Sequence, residues 1–371
     1  MISFVLLFAF SCVACSEEDP DERDHTPVTQ DSDRMEQVGE GLYRRYCALC
    51  HGRDGEGYAA DNAPRLAGAE WLRSASDAFI TAAIADGRPG TPMSAWSQNR
   101  GGPLNDVQIE AIRTYLRSWQ RHPNASVDEI EVEGDPRRGY LRYMLSCARC
   151  HGQRGEGVDA VALNNPRFLA TASDGFIQYA ISHGRSGTRM PAFRDELEPT
   201  QIDDIVAFVR SLEDGPGAPA DLNPLNVDSH GHPRPPNVPA LADMDLVINP
   251  DAEPAEFELR EDRFVASADV RRELERGRKI VIIDARATSD WLTQRIPGAI
   301  PVPFYELDGI VDGLPRDGTP MVAYCGCPHA ASGRVVDALR RQGFTHTAVL
   351  DEGIDFWAHE DYPVASGPAQ P

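Results

Sequence analysis

Two short motifs carry the most specific chemistry in this sequence, CALCH at 47–51 and CARCH at 147–151. Two thiols separated by two residues, with an imidazole directly after the second, have the spacing of covalent haem c attachment. At the end of a helix the thiols reach the two vinyl groups of one porphyrin, and the histidine reaches its iron. A redox or zinc-binding role for the cysteine pairs would leave both histidines unexplained. We therefore predict thioether bonds and proximal iron ligands from six residues, Cys47, Cys50, Cys147, Cys150, His51 and His151.

A methionine follows each motif in a similar context. Met93 ends the segment Gly-Thr-Pro-Met, and Met190 ends Gly-Thr-Arg-Met. A thioether as the second axial ligand raises the iron potential relative to an imidazole, which favours electron transfer over oxygen binding. His183 competes with Met190 as the distal ligand, but Asp86 stands at the corresponding place before Met93. We expect Met93 and Met190 to be the distal ligands.

An internal repeat positions these residues. Cys47 and Cys147 lie 100 residues apart, and Tyr43 and Tyr143 share that offset. Met93 and Met190 are only 97 residues apart, so the second repeat lacks three residues between its cysteine motif and its methionine. Apolar residues at helical spacing predict a helix before each cysteine motif, over 34–50 and 136–150. A second helix is predicted to close each repeat, capped by Asn105 in the first and containing Ile202, Ile205, Val206 and Val209 in the second.

With these features in place, both repeats resemble class I cytochrome c domains. The resemblance covers residues 35–121 and 134–214 and implies two all-α domains, each folded around one covalently bound haem c. It also implies that a proline carbonyl orients each proximal imidazole, and Pro64 and Pro166 stand where that proline is expected.

The C-terminal part has a different pattern. Short apolar runs at 279–284, 321–324 and 347–350 alternate with a helical pattern at 333–341. Strands alternating with helices predict an α/β unit with a parallel sheet.

Residues 259–365 resemble a rhodanese-like domain, through IIDAR at 282–286, RIPGAI at 295–300, VAYC at 322–325 and LDEG at 350–353. The resemblance implies that Cys325, directly after a strand and before a helix, attacks a sulfane sulfur and carries it as a persulfide. Loop amides and the helix N-terminus would lower the pKa of this thiol. Arg334 and His329 are the nearby cationic groups, and Cys327 is an alternative nucleophile or a resolving thiol.

This segment departs from the family in three ways. Arg295 replaces the usual histidine, the loop after Cys325 is longer than in sulfurtransferases, and it lacks the basic side chains that would hold thiosulfate. An inactive domain used for docking therefore remains an alternative to an active sulfurtransferase.

The N-terminal residues predict export. An apolar run at 2–10 suits a signal peptide over residues 1–15, with a lipoprotein-like cleavage site. Cys15 is the expected acylated residue and Cys12 the alternative. An acidic tether is predicted at 16–34, and nine prolines predict an extended linker at 215–258, in which His230 and His232 are interpreted as solvated.

The formal net charge of −22 argues against nucleic-acid binding, because phosphates would be repelled. It favours redox partner proteins with a cationic surface. We predict a lipid-anchored, periplasmic dihaem cytochrome in a bacterial cell envelope, whose rhodanese-like domain handles a sulfane-sulfur or thiol substrate. A sulfurtransferase enzyme and a respiratory electron carrier with an inactive rhodanese-like module are the alternatives.

Overall fold

The computed structural model describes residues 26–60, 62–213, 236–307, 311–326 and 329–367. The predicted signal peptide with Cys12 and Cys15, the first part of the predicted linker with His230 and His232, and Cys327 lie outside them. Within these residues, no helix combines the length and the apolar character needed to cross a bilayer.

The first helical unit contains the first cysteine motif. Its helices are α1 Thr26–Tyr46, α2 Ala48–His51, α3 Ala69–Ser74, α4 Asp77–Asp86 and α5 Asp106–Ser118. The predicted opening helix is confirmed but begins earlier, so α1 includes the last part of the predicted acidic tether. The predicted cap of α5 is also confirmed, since Asn105 and Gln108 form a reciprocal capping box. Helices α1 and α5 cross at Gly39, where a Cβ atom would lie 2.0 Å from the Ala111 carbonyl oxygen.

The second helical unit repeats this arrangement. Its helices are α6 Pro136–Ser146, α7 Ala148–His151, α8 Pro166–Thr171, α9 Asp174–His183 and α10 Pro199–Arg210. The four apolar residues predicted for the closing helix are all buried on α10. Gly139 is the counterpart of Gly39, because its Cβ would lie 1.9 Å from the Asp204 carbonyl oxygen. The close approach of the opening and closing helices is thus built into both repeats.

The C-terminal unit is α/β, as predicted. Its strands are β1 Phe264–Val265, β2 Val281–Asp284, β3 Ile300–Pro301, β4 Met321–Tyr324 and β5 Thr347–Leu350. Its helices are α11 Ser267–Glu275, α12 Thr288–Thr293, α13 Ala330–Arg341 and α14 Gly353–His359. The strands pair in parallel in the order β1-β5-β4-β2-β3. Every residue of β2, β4 and β5 is buried, which explains why these strands are apolar except for Asp284 and Thr347 at their ends.

The end of the predicted linker belongs structurally to this α/β unit. Ile248 forms an antiparallel bridge with Ile280, and Pro254 forms a parallel one with Lys279. Ala255 is buried in the same core. These residues extend the unit to the N-terminal side of residue 259.

Candidate functional site

One continuous cavity of about 550 Å³ joins the residues predicted to do chemistry. Its walls include both cysteine motifs, both predicted methionine ligands, and the loop after β4 in the α/β unit. The structure therefore brings the three separate sequence predictions into one connected space.

In the first helical unit, the proximal imidazole is held by a proline carbonyl. His51 is 7% exposed, and its Nδ1 lies 2.9 Å from the Pro64 carbonyl oxygen, which confirms the predicted contact. Burial lowers the pKa of His51, which favours the neutral imidazole that binds metals. Tyr43 donates a hydrogen bond of 2.8 Å to the Gly52 carbonyl and fixes the turn after the motif.

In the second helical unit, the predicted partner is wrong. His151 Nδ1 lies 2.9 Å from the Val161 carbonyl oxygen, whereas Pro166 is the first residue of α8. The three residues missing from the second repeat are lost before residue 161. Val161 is consequently the counterpart of Pro64, and Pro166 that of Ala69, the first residue of α3. Any residue can supply a backbone carbonyl, so the side chain gave no signal.

The two methionine loops have the same conformation. The Met93 carbonyl accepts a hydrogen bond from the amide of Arg88 at 2.8 Å, and the Met190 carbonyl accepts one from the amide of Arg185 at 3.0 Å. In both loops a threonine hydroxyl also accepts from the methionine amide. His183 instead stacks on Tyr179, with ring centroids 3.9 Å apart, and is not among the residues lining the cavity. This geometry favours Met190 over His183.

Replacing Met190 by alanine is therefore expected to lower the midpoint potential of one haem by roughly 0.1–0.3 V, a fraction of the ~0.8 V range that axial ligands span. The measurement is a spectroelectrochemical titration of the holoprotein. His183→Ala is the matched control and should leave both potentials in place. The assignment is wrong if His183→Ala shifts a potential and Met190→Ala does not.

Arginine side chains test whether haem c fits this cavity. Arg65 lines it, and its buried Nε has no hydrogen-bond partner within the part of the chain that the structure describes. Arg88 and Arg185 line it at corresponding positions of the two loops, and burial lowers the pKa of each to about 10. Buried guanidinium groups require anionic partners. The propionates of haem supply such charge, so the residues present fit haem c.

The predicted nucleophile of the α/β unit also faces this cavity. Cys325 is 2% exposed, and its Sγ lies 3.2 Å from Ser332 Oγ in the first turn of α13. Arg286, Gly326 and Ala331 line the same part of the wall.

Arg286 is the cation that sequence reasoning missed. It is held by the buried carboxylate of Asp284 at 2.6 Å, and Tyr324 donates to that carboxylate at 2.8 Å. The predicted Arg334 is exposed on α13 with its guanidinium 5.9 Å from the centre of the Phe304 ring, and it is not among the residues lining the cavity. His329 Nε2 lies 3.0 Å from the Asp351 carboxylate. The available signal for Arg286 was its place directly beyond the end of β2, two residues from an acidic partner.

The α/β unit packs directly on the first cysteine motif. Helix α2, which contains Cys50 and His51, contacts α13. Arg45 Nε donates to the Tyr305 carbonyl at 3.2 Å. The Tyr305 ring also lies 4.9 Å from that of Tyr46 and 5.6 Å from that of Trp96, centroid to centroid. The α/β unit thus covers the helix that carries the predicted haem attachment.

The loop after Met93 is fixed by the same unit. Ser94 Oγ donates to Asp290 Oδ2 at 2.6 Å, and Ser289 Oγ donates to the Ala95 carbonyl at 2.6 Å. Desolvation raises the pKa of Asp290 to about 6, although the charge of Arg286 opposes this.

A raised carboxyl pKa gives the interface an unusual pH dependence. The folded chain holds a proton on Asp290 up to about pH 6, whereas the unfolded chain releases it near pH 3.8, so stability is gained as pH falls between these values. We expect Asp290→Asn, which can still accept from Ser94, to stabilise the fold by on the order of 1 kcal/mol at pH 7.5. Denaturant unfolding at pH 7.5 and 5.5 measures this. An equal gain at both pH values would contradict the assignment to Asp290.

Comparison with known families agrees with both parts of this geometry. The family model described as "Cytochrome C oxidase, cbb3-type, subunit III" matches residues 34–116 and 134–209. The model described as "Rhodanese-like domain" matches residues 267–360.

Similar proteins cover the first two units. The "Cbb3-type cytochrome c oxidase subunit CcoP" of Azospirillum brasilense is 30% identical over 194 residues, which span 48% of this chain and 62% of that protein. The "Cytochrome bc1 complex cytochrome c subunit" of Mycobacterium leprae is 29% identical over 195 residues, or 49% of this chain and 63% of that one. A solved chain of the Kuenenia stuttgartiensis reducing HAO-like protein complex is 24% identical, with a TM-score of 0.34, and the match covers 47% of this chain and 96% of that chain.

Proposed function

We propose that this chain, which carries cytochrome c domains in two segments and a C-terminal rhodanese-like domain, is a dihaem electron carrier that receives electrons from a sulfur compound handled at Cys325. Cytochrome c domains imply covalently bound haem c, which supplies one-electron transfer when bound. The proposal adds the number of haems, one for each attachment motif, and the source of the electrons.

The carrying observation is the shared cavity. Cys325 and the first attachment motif line the same space, and the rhodanese-like domain is packed on the helix that bears this motif. A docking module attached only through a linker would have no reason to place its buried thiol on that wall.

The chain's own groups fit persulfide chemistry at Cys325. The thiol precedes the N-terminus of α13, whose amides favour a thiolate. A thiolate attacks a sulfane sulfur, forms the new S–S bond and releases the rest of the donor as its leaving anion. Arg286 supplies a positive charge at the same part of the wall, and Asp284 holds it in place. The loop after Cys325 has no lysine or arginine to hold thiosulfate, which argues for a polysulfide or thiol-bound sulfane sulfur instead.

Addition of water to the outer sulfur of a Cys325 persulfide, RS–S⁻ + H2O → RS–SO⁻ + 2H⁺ + 2e⁻, would release one electron pair. Two haem sites in one cavity would have capacity for both electrons. The two helical units are in direct contact, since the Phe79 and Phe176 rings lie 4.7 Å apart, centroid to centroid. Asn165 Nδ2 also donates to the Pro89 carbonyl at 2.7 Å across this contact. The arrangement supports electron sharing between the two haem sites.

The proposed setting is the periplasmic side of a bacterial envelope, with a lipid anchor at Cys15 or Cys12. Redox partner proteins would complete the electron path. The extensive contact between the first cytochrome domain and the rhodanese-like domain also fits the alternative of an inactive docking module.

Anaerobic mixing of the fully oxidised holoprotein with polysulfide tests the proposal. We expect the reduced haem spectrum to appear with about one sulfane sulfur consumed per two haems reduced, because the sulfur loses an electron pair. Ascorbate reduction is the control for competent haems. Sulfur transfer to cyanide without haem reduction would indicate a plain sulfurtransferase. Neither activity in ascorbate-reducible protein would indicate the docking module.

A further inference from the structure

The internal repeat allows the surface around each attachment motif to be compared position by position. Residues before the motifs correspond at an offset of 100, and residues after the missing segment correspond at an offset of 97. The contacts with the rhodanese-like domain in the first repeat are made through Arg45, Tyr46, α2, Ser94, Ala95 and Trp96. The corresponding surface of the second repeat is made of Leu145, Ser146, α7, Pro191, Ala192 and Phe193.

These two surfaces differ sharply in exposure. Tyr46, Ser94, Ala95 and Trp96 are between 6% and 8% exposed under the rhodanese-like domain. Their counterparts Ser146 and Pro191 are exposed, and Ala192 and Phe193 are half-buried. Leu145 is 81% exposed, at the position of the likewise exposed Arg45. A leucine this exposed beside a cofactor motif is what a surface for a partner would present.

Further apolar side chains extend the exposed surface. Leu141, one helical turn before Leu145 on α6, is 63% exposed, and Val158 and Val161 in the loop that holds His151 are 58% and 40% exposed. We call Leu141, Leu145, Val158 and Val161 the second-repeat patch.

The charges around the second-repeat patch are basic in a strongly acidic chain. Exposed arginines stand at four positions, Arg142, Arg149, Arg154 and Arg189. The first repeat has Leu42, Leu49, Asp54 and Pro92 at the corresponding positions. Arg189 is paired at its edge with Asp159. The first repeat has its own exposed arginines, Arg44, Arg45 and Arg53, where the second has Met144, Leu145 and Gln153. What is specific to the second repeat is that its arginines surround exposed apolar side chains.

We propose that the second-repeat patch is the docking site for an external electron-transfer protein with an acidic face around its own redox centre. The rhodanese-like domain occupies the corresponding surface of the first repeat, so an external protein cannot dock on the first repeat in the same way. The two repeats then have different tasks: the first exchanges electrons with the domain of its own chain, and the second with another protein. An apolar centre gives contact area, and a ring of arginines selects and steers an acidic partner.

This inference depends on haem binding in the second repeat, but not on any sulfur chemistry. It also changes the sequence-based expectation of a cationic partner, because the net charge of −22 is not the charge at this site.

The test uses the full-length holoprotein and two probes of opposite charge, an acidic cupredoxin and a basic class I cytochrome c. Isothermal titration calorimetry measures binding, and stopped-flow spectroscopy measures electron transfer from ascorbate-reduced protein. Leu145→Glu/Arg149→Glu is expected to lower both affinity and rate constant for the acidic probe by about tenfold or more at low ionic strength. Val107→Glu/Arg121→Glu, at exposed positions on and just after α5 of the first repeat, changes the net charge by the same −3. It is the matched control and should change neither.

Three outcomes would overturn the proposal. One is preferred binding of the basic probe, undiminished by Leu145→Glu/Arg149→Glu. Another is equal loss in both variants, which would indicate a general charge effect. The third is a dimer in sedimentation velocity that this double variant dissolves, which would assign the patch to a second copy of the chain. Reduction by polysulfide is measured separately, so failure of the sulfur chemistry and failure of this docking site remain distinguishable.

Discussion

Replacing Cys325 by serine is expected to slow polysulfide-dependent haem reduction more than about 100-fold, because a serine hydroxyl neither ionises near neutral pH nor forms a persulfide. The substitution is conservative, since Cys325 is 2% exposed and its Sγ contacts Ser332 Oγ at 3.2 Å, a contact that a hydroxyl can also make. Stopped-flow absorbance after anaerobic mixing gives the rate, and mass spectrometry gives the persulfide on the wild-type chain.

Cys327→Ser is the matched variant. If Cys325 is the nucleophile, Cys327→Ser keeps most of the rate and the persulfide. The opposite result, with the rate lost only in Cys327→Ser, would move the nucleophile two residues along the loop. Unchanged rates in both variants would show that sulfur donates electrons without the rhodanese-like domain. Ascorbate reduction must remain equal in all three proteins.

Replacing both cysteines of either attachment motif by alanine is expected to leave one haem per chain, because thioether bonds to two cysteines hold each haem. In Cys47→Ala/Cys50→Ala we expect polysulfide-dependent reduction to be lost, since this motif lies beneath the rhodanese-like domain. In Cys147→Ala/Cys150→Ala the remaining haem should still be reduced by polysulfide. Intact mass and a haemochrome assay count the haems, and stopped-flow absorbance measures the reduction.

The same pair of variants carries a stability effect. In the proposed dihaem protein, each haem would fill part of a cavity of about 550 Å³ whose walls are largely apolar side chains. Losing it is expected to destabilise the affected helical unit by several kcal/mol, as large voids in protein cores do. The two double-alanine variants must therefore be compared only as folded, soluble protein that contains one haem per chain. Equal polysulfide-dependent reduction in both single-haem proteins would contradict the role given to the first repeat.

Local sequence was sufficient for the opening and closing helices of each repeat and for β2, β4, α13 and β5, but β1, β3, α11, α12 and α14 were not predicted. The spacing of apolar residues predicted the opening and closing helices, because burial against one partner requires a 3.6-residue period. Continuous apolar runs predicted β2, β4 and β5, because parallel strands are buried on both faces. The starts of α1, β2 and α13 differ from the predicted positions, and residues near the end of the predicted linker pair with the α/β unit. These are boundaries, where local propensity is weak and tertiary contacts decide.

The spacing of the cysteine motifs was enough to predict haem chemistry, because two thioether bonds and the proximal ligand to one haem impose a fixed interval along the chain. The methionines were predicted from their shared Gly-Thr-x-Met context, since their distance from the motif differs between the repeats. Backbone partners were not predictable in this way. The Val161 carbonyl replaced that of Pro166, since every residue carries a carbonyl and only the path of the loop selects one. Likewise, Arg286 rather than Arg334 lines the cavity. Arg334 lies on the exposed face of α13, whereas Arg286 reaches the cavity from the end of β2, which only the parallel pairing of β2 with β4 brings beside Cys325.

The sequence by itself determined that this protein contains two cytochrome c segments and a rhodanese-like domain, and it predicted haem and thiol chemistry, because bond lengths and helical periods restrict the CxxCH motif to a short interval of chain. Only the tertiary structure decided which of these parts meet. The packing of Tyr305 and Asp290 on the first repeat brings a rhodanese-like domain to one haem site and leaves Leu145 of the second repeat exposed. Such contacts join residues more than 190 positions apart in the sequence. Their energy depends on how well two folded surfaces fit, and this fit cannot be predicted from short sequence patterns.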